Sequence, residues 1–148
     1  KYFPKTLSFE ETLEMYDRCK GNKNGFGLYP AEEKISGKFI GFVGLNIPSY
    51  MPDCVEIGWR LRKEFWGKGY ATEAAKKWLE IGFGEYGLDE IISFTAKQNI
   101  KSQEVMKRIG MKRDAQRDFF HPEIPKDHPL AFHVFYALHS NQPKLKRD

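Results

Sequence analysis

The segment from residue 54 to residue 82 constrains the fold most, because a strand, a glycine turn and a helix follow one another directly. Apolar and polar residues alternate over residues 54–61, which predicts a strand with one buried face. Apolar residues recur at helical spacing over residues 71–82. Between them, Gly67 and Gly69 form a turn in which the first N–H groups of a helix can approach an anion. Taken alone, such a turn favours a tight connection that binds nothing.

Length and composition exclude several classes of protein. The chain has 148 residues, of which 41% are hydrophobic, enough for one domain with one core and too many for a disordered chain. No apolar run reaches the ~18 residues that cross a bilayer, and no leader opens the chain, so we expect no membrane partner. Cys19 and Cys54 follow no metal or redox spacing, which favours a cytoplasmic protein without a metal.

The charge distribution is more informative than the net charge. A net charge of +4 is only weak support for nucleic-acid binding, and we expect no nucleic-acid partner. Basic residues crowd the glycine turn, namely Arg60, Arg62, Lys63 and Lys68. An anionic ligand and an ordinary charged surface both fit this pattern.

The remaining patterns predict an alternation of helices and strands. A capping box from Ser8 to Glu11 predicts a helix that Gly21 ends. Strands are predicted over residues 25–30, 39–45, 91–95, 111–120 and 130–138, and Asn99 is expected to cap a helix that Gly110 ends. Together with the central segment, this order predicts a mixed α/β or α+β sheet with helices packed against it.

The glycine turn also carries a resemblance to a known family. Residues 66–74 resemble the acetyl-CoA signature of the GNAT superfamily in its RimJ/RimL-like (ribosomal-protein-alanine acetyltransferase) branch. Gly69 and Ala71 match the last two signature positions, and Trp66 stands where Gln or Arg is usual, as is typical of that branch. Further matches follow in order at residues 56–61, 99–102, 107–111 and 133–138, so the resemblance covers nearly the whole chain.

This resemblance implies a single N-acetyltransferase domain over residues 1–148 with a splayed mixed sheet. The family begins with a strand and a helix ahead of Tyr2, and the chain starts at Lys1 without an initiator Met. We therefore expect the domain to be truncated at its N-terminus, with the first strand missing.

The resemblance also implies acetyl-CoA as co-substrate, with no metal. Backbone N–H groups near the glycine turn would hold the pyrophosphate, and exposed backbone groups of the strand before it would pair with the pantetheine arm. Asn99 could contact the same arm, or serve only as a helix cap. The expected acetyl-CoA contacts are Trp59, Arg60, Leu61, Trp66, Gly67, Lys68, Gly69, Tyr70, Ala71, Thr72, Asn99 and Ser102.

By the same resemblance, the reaction is direct attack of an amine on the thioester in a ternary complex. Glu56 is the candidate base, directly or through a water, although it could be a solvated surface residue. Many relatives place a tyrosine on the second helix where this chain has Met106. Ser102 is therefore the candidate donor to the leaving thiolate, with a capping hydroxyl as the alternative. Tyr136 is a further possibility, though it fits a core aromatic better.

The histidines and the substrate leave the most alternatives open. His121 and His133 are candidates for binding the acceptor, and the histidine spacing fits no zinc pattern. The acceptor is expected to be a protein N-terminus or a small-molecule amine, and the protein a monomer or a homodimer. The main alternative function is a non-catalytic acyl-CoA sensor, and a basic nucleic-acid-binding domain is a distant second.

Overall fold

The computed structural model of the protein describes residues 25–141, together with Glu10. The helix predicted after Ser8 falls outside these residues, except for Glu10, which is helical and exposed. The expectation of a missing first strand also concerns the part of the chain that is not described, and it stays a prediction.

The described residues form seven strands and two longer helices. The strands are β1 (Gly27–Glu33), β2 (Lys38–Asn46), β3 (Glu56–Leu61), β4 (Glu90–Ala96), β5 (Lys112–Arg113), β6 (Phe119–Phe120) and β7 (Phe132–His139). The helices are α1 (Tyr70–Gly84) and α2 (Ile100–Arg108), with single 3₁₀ turns at Lys63–Phe65 and Ala115–Arg117.

All seven strands belong to one mixed sheet. Its order is β1-β2-β3-β4-β7-β5, and β6 pairs with β7 beside β5. The β3–β4 pair is parallel, whereas the other pairs are antiparallel. The predicted fold class, an α/β (α+β) mixed sheet flanked by helices, is therefore confirmed.

One predicted strand is wrong. Residues 111–120 form two short strands separated by a 3₁₀ turn, because the Asp114 side chain accepts the N–H of Gln116 and caps that turn. Asp118 then accepts the backbone N–H of Phe135 at 2.9 Å, where an unbroken ladder would need a backbone carbonyl. The other predicted elements among the described residues are confirmed, with ends that differ by a few residues.

The larger part of the core lies between the sheet and the helices. Ala75 and Leu79 of α1 pack with Leu45, Ile57 and Ile91 of the sheet, and all five side chains are buried. This is the apolar face that helical spacing predicts for α1. Each fully buried leucine or isoleucine contributes about 1.5–3 kcal/mol, so this contact holds α1 firmly beside β3.

The sheet opens between its two central strands. Within the described residues, β3 and β4 form a single residue pair, Glu56 with Ile92. The Ile92 N–H donates to the carbonyl of Val55 at 2.9 Å, and the Ser93 hydroxyl donates to the carbonyl of Ile57 at 2.9 Å. Beyond Ile57 the two strands separate, so the splay expected from the family resemblance is present and creates a cleft.

Candidate active site

A cavity of ≈ 420 Å³ fills the gap between β3 and β4. Its walls come from both strands, from α2 and from the loop before β7. Seven of the predicted site residues line it: Glu56, Trp59, Arg60, Asn99, Ser102, His121 and His133. The fold thus collects residues that are up to 77 positions apart in the sequence (from 56 to 133).

Glu56 lies at the point where the strands begin to part. Its carboxylate accepts a hydrogen bond from the Asn46 side chain at 3.3 Å, across the β2–β3 pair. Burial of the carboxyl group raises the pKa of Glu56 to about 8, against the smaller lowering effect of Asn46. The side chain is therefore not the solvated surface glutamate of the alternative interpretation, and near neutral pH it can both accept and release a proton.

The free edge of β3 faces the cleft through its backbone. The Arg62 N–H donates to the carbonyl of Ile40. In an antiparallel pair such bonds recur at every second residue, so the backbone N–H and C=O groups of residues 60 and 58 also face β2. The intervening residues point theirs toward β4, and among them Trp59 lies where β4 has already diverged. The backbone of Arg60 faces β2 instead. Of the predicted pantetheine contacts on this strand, Trp59 and Leu61 have the suitable backbone direction.

Leu61 and Trp66 are tied to each other. The Trp66 indole N–H donates to the Leu61 carbonyl at 2.8 Å, and the Lys101 ammonium lies 4.9 Å from the centre of the indole ring. The Leu61 carbonyl is therefore already paired within the protein. Trp66 fixes the angle at which the chain leaves β3 and enters the glycine turn.

The glycine turn has the geometry that an anion site requires. Gly67 has φ = 76° and Gly69 has φ = 83°, a left-handed region that other residues rarely adopt. A Cβ at either position would meet nothing within 4 Å, so open space lies in front of both. Gly69 is the N-cap of α1 and has no side chain to cap it. The first N–H groups of the helix, at Tyr70, Ala71 and Thr72, are therefore placed beside that space.

Side chains beside the turn are held by β1. The Tyr70 hydroxyl donates to Glu33, and the Lys68 ammonium lies 3.9 Å from the same carboxylate. Tyr70 can thus offer a ligand its backbone but not its hydroxyl. Of the predicted acetyl-CoA contacts, Trp59, Arg60, Asn99 and Ser102 line the cavity, whereas Leu61 and residues 66–72 do not.

Asn99 and Ser102 form a small network at the start of α2. The Asn99 side-chain oxygen accepts the Ser102 N–H at 3.3 Å, which confirms the predicted cap. Its amide group donates to the Ser102 hydroxyl at 3.1 Å and to the Thr95 hydroxyl at 3.0 Å. The Ser102 oxygen acts as acceptor here, so its own proton is available for a ligand. Met106, one turn later, is buried and lines the cavity without a hydroxyl.

His121 and His133 lie together on the cavity wall that faces β3. Their ring centres are 5.0 Å apart, and His133 is on the face of β7 away from the buried Val134. The Nδ1 of His133 lies 3.1 Å from the carbonyl of Ala131, a distance at which the N–H can donate. Burial lowers the pKa of both histidines, so both are neutral at neutral pH.

Several residues of this site were not among the predicted ones. Tyr50 lies in the loop before β3, and its hydroxyl is 2.9 Å from the Nε2 of His121. Asn46 pairs with Glu56, and Phe94 and Thr95 line the cavity from β4. Tyr50 follows no periodic pattern, so only the fold reveals it. Asn46 is a polar residue at the end of an apolar strand. Together with the register of β2 against β3, it could have been predicted as a partner of Glu56.

Three further observations concern Tyr136, metal binding and membrane spans. Tyr136 is buried in the core and donates to the Gln103 side chain at 3.3 Å, and it does not line the cavity. Within residues 25–141 no group of three or more His, Cys, Asp or Glu side chains could hold a metal ion. The helices of this same region are too short or too polar to cross a bilayer.

Comparison with known proteins agrees with this architecture. A solved GNAT-family acetyltransferase from Bacillus anthracis superposes with a TM-score of 0.74 at 28% identity, over 93% of this chain and 79% of that one. A family profile described as the acetyltransferase (GNAT) domain matches residues 1–112. The chain therefore belongs to the GNAT family of acetyltransferases.

Curated relatives carry names of the same kind. The chain is 43% identical over 141 residues to "Uncharacterized N-acetyltransferase YnaD" of Bacillus subtilis, across 93% of this chain and 78% of that protein. It is 30% identical over 119 residues to the "FsC-acetyl coenzyme A-N(2)-transacetylase" of Aspergillus fumigatus, across 74% of this chain and 50% of that protein. Like these relatives, the chain is an enzyme of the acetyltransferase class.

Proposed function

We propose that this domain transfers an acetyl group from acetyl-CoA to a primary amine by direct attack in a ternary complex. The observation that carries the proposal is the position of Glu56, a carboxyl group with a raised pKa, at the point where β3 and β4 separate. A proton acceptor tuned to near-neutral pH beside an open strand edge suits the deprotonation of an amine next to an extended ligand.

Acetyl-CoA supplies the acetyl group as a thioester, and the chain offers two places to hold it. The backbone of Trp59 points into the cleft, where the pantetheine arm can pair with it as an added strand. The open left-handed turn at Gly67 and Gly69 leads to the N-terminus of α1, which favours the pyrophosphate. The name of the Aspergillus relative, which includes acetyl coenzyme A, supports this choice of donor.

Glu56 accepts the proton of the amine. Because burial raises its pKa to about 8, the carboxyl group is largely protonated below that pH and becomes a base above it. Replacement of Glu56 by Gln should therefore lower turnover most above about pH 8, where the wild-type carboxyl group is ionised.

Ser102 donates to the leaving sulfur. Its oxygen already accepts from Asn99, which orients the hydroxyl proton away from that amide. Met106 cannot replace it, since its side chain has no proton to donate. The residue that caps α2 is Asn99, so Ser102 is not needed as the cap.

The finer classification also belongs to this proposal. We assign the chain to the RimJ/RimL-like branch because Trp66 occupies the signature position, where its side chain braces the turn against Leu61. The acceptor is a protein N-terminus or a small-molecule amine. The cytoplasmic location, the monomeric or homodimeric state and the single domain over residues 1–148 stay predictions.

Thermal melting with acetyl-CoA, followed by an assay of released CoA on a panel of primary amines, tests the function. At ~100 times the dissociation constant, acetyl-CoA adds about 2.7 kcal/mol of stability and raises the midpoint by several degrees, whereas ATP and NADH do not. Release of CoA with at least one amine supports the enzyme. A shift without release from any amine would favour the acyl-CoA sensor, and no shift would contradict both.

A further inference from the structure

The hydroxyl of Tyr50 lies at the cavity wall beside His121, and the reaction described above does not use it. Tyr50 is half-buried and lines the cavity together with Glu56. Within the described part of the chain, its hydroxyl has one hydrogen-bond partner, the Nε2 of His121 at 2.9 Å. Which of these two atoms holds the shared proton decides what Tyr50 can offer a substrate.

The other nitrogen of His121 answers that question. Its Nδ1 accepts the backbone N–H of Glu123 at 3.2 Å, so Nδ1 carries no proton. A neutral imidazole must then carry its proton on Nε2, and burial lowers the pKa of His121, which keeps the ring neutral. The Nε2–H therefore donates to the Tyr50 oxygen.

It follows that the Tyr50 proton is left for another acceptor. Burial first, and then the charges of Glu56 and Glu123, raise the pKa of Tyr50, so the hydroxyl remains protonated. Tyr50 and Glu56 line the same cavity, and no hydrogen bond joins their side chains within the described structure. An acceptor bound in the cavity can therefore contact both groups.

Two aromatic rings flank this donor. Phe94 and Phe119 pack against Tyr50 with ring centres 6.1 Å and 6.3 Å apart, and Ile124 lines the same cavity. The carboxylates among the described lining residues are Glu56 and Glu123, and Glu123 is exposed. This part of the wall suits an apolar body better than a second cationic group.

We propose that the preferred acceptors are primary amines that carry a hydroxyl or carbonyl oxygen close to the amine and an apolar body beyond it. The Tyr50 hydroxyl donates to that oxygen and so sets the amine beside Glu56. This inference rests on the proposed acetyl transfer and adds a class of substrate to it.

A matched pair of amines tests the inference on the full chain. We would compare kcat/KM for 2-amino-1-phenylethanol and for 2-phenylethylamine, which differ by one hydroxyl next to the aminomethyl group. Because that hydroxyl also changes the basicity of the amine, the diagnostic quantity is the ratio of the two values in each variant. We expect the ratio to fall about five- to tenfold in Tyr50→Phe, the usual effect of one neutral hydrogen bond.

Two further variants separate this role from a structural one. Tyr86→Phe removes a tyrosine hydroxyl outside the cavity and keeps the ring that packs against Phe26, so it should keep the wild-type ratio. His121→Leu removes the group that orients Tyr50 and should lower the ratio in part, whereas His121→Gln, with an amide N–H to donate, should retain it. The His121 pair provides the same test if Tyr50→Phe does not fold.

The outcomes distinguish this inference from the proposed function. A ratio that falls in Tyr50→Phe and His121→Leu, but not in Tyr86→Phe, supports the role of Tyr50. Release of CoA with an unchanged ratio in both variants would overturn that role and leave the acetyl transfer standing. Release with other amines but with neither of this pair would also overturn it. Failure with every amine tested would overturn both.

Discussion

Along the β3 side of the cleft the expected ligand contacts come from the backbone, whereas on the facing wall they come from side chains. The backbone side comprises Trp59 and the turn at Gly67 and Gly69, which are close in sequence. The side-chain wall brings together Tyr50, His121 and His133 from distant loops and strands. A backbone surface suits a ligand shared by a whole family, while a wall of side chains can change its substrate through single substitutions.

This difference between the two sides leads to a prediction that experiments can contradict. Changes on the backbone side should alter the affinity for acetyl-CoA, and changes on the side-chain wall should alter the kinetics of the amine. Glu56 and Ser102 lie between the two and should affect turnover. The four predictions below concern the backbone side and the two residues between the walls, beginning with the largest expected effect.

Glu56→Gln should reduce kcat by about 100-fold or more above pH 8, where the wild-type carboxyl group is ionised and acts as a base. Below that pH the difference should narrow, and the rise in rate near pH 8 should be missing in the variant. Rate measurements across this pH range, with Glu80→Gln on the exposed face of α1 as control, check it. Equal pH profiles would remove Glu56 from the reaction.

The stability of the same variant tests whether a loss of activity comes from unfolding. Between its ordinary pKa of 4.5 and about 8, native Glu56 holds a proton that the unfolded chain releases. Raising the pH therefore lowers the free energy of unfolding of the wild type, and Gln has no such dependence. The melting midpoint of Glu56→Gln should rise relative to the wild type by several degrees as the pH increases from about 5 to about 9.

Gly69→Ala should weaken acetyl-CoA binding by about tenfold or more, because its Cβ would enter the open space in front of the helix N-terminus. An Ala with positive φ also costs about 1–2 kcal/mol of stability. Gly37→Ala is the matched control, since Gly37 has φ = 64° and equally open surroundings in the β1–β2 turn. Melting midpoints should fall by similar amounts in both variants, and calorimetric titration should show weaker acetyl-CoA binding in Gly69→Ala alone.

Ser102→Ala should lower kcat by roughly three- to tenfold, the usual effect of one hydrogen bond, with little change in the dissociation constant of acetyl-CoA. The cap of α2 should survive, because Asn99 accepts the backbone N–H of residue 102. Single-turnover rates and melting midpoints check the two statements separately. A wild-type rate would leave the leaving sulfur without the donor proposed here.

The sequence predicted the backbone side of the cleft well because that side is local. Alternation over β3, two glycines and helical spacing over α1 are contiguous, and each has one main physical cause. Asn99 was likewise predicted as a cap from its place before an amphipathic helix, and it is one. The broken strand at residues 111–120 was missed because its polar residues cap a turn rather than alternate.

The side-chain wall could be predicted only in part. His121 and His133 were candidates, but their neutral state depends on burial that no local pattern shows. Tyr50 was absent from the prediction, since its contact with His121 spans 71 positions of sequence. The raised pKa of Glu56 also needed the fold, because the carboxyl group is enclosed only when β2, β3 and β4 come together.

The single residue pair between β3 and β4 divides the sheet into two parts. Glu56 and Ile92 join two parts of the sheet: β1–β3 lie on one side of this pair, and β4 with its partners lies on the other. The hydrogen bond from the Ser93 hydroxyl to Ile57 is a second connection beside this pair. Under the proposed function, an extended ligand bound between these two parts of the sheet would take the place of a missing strand, so the substrate itself would complete the sheet.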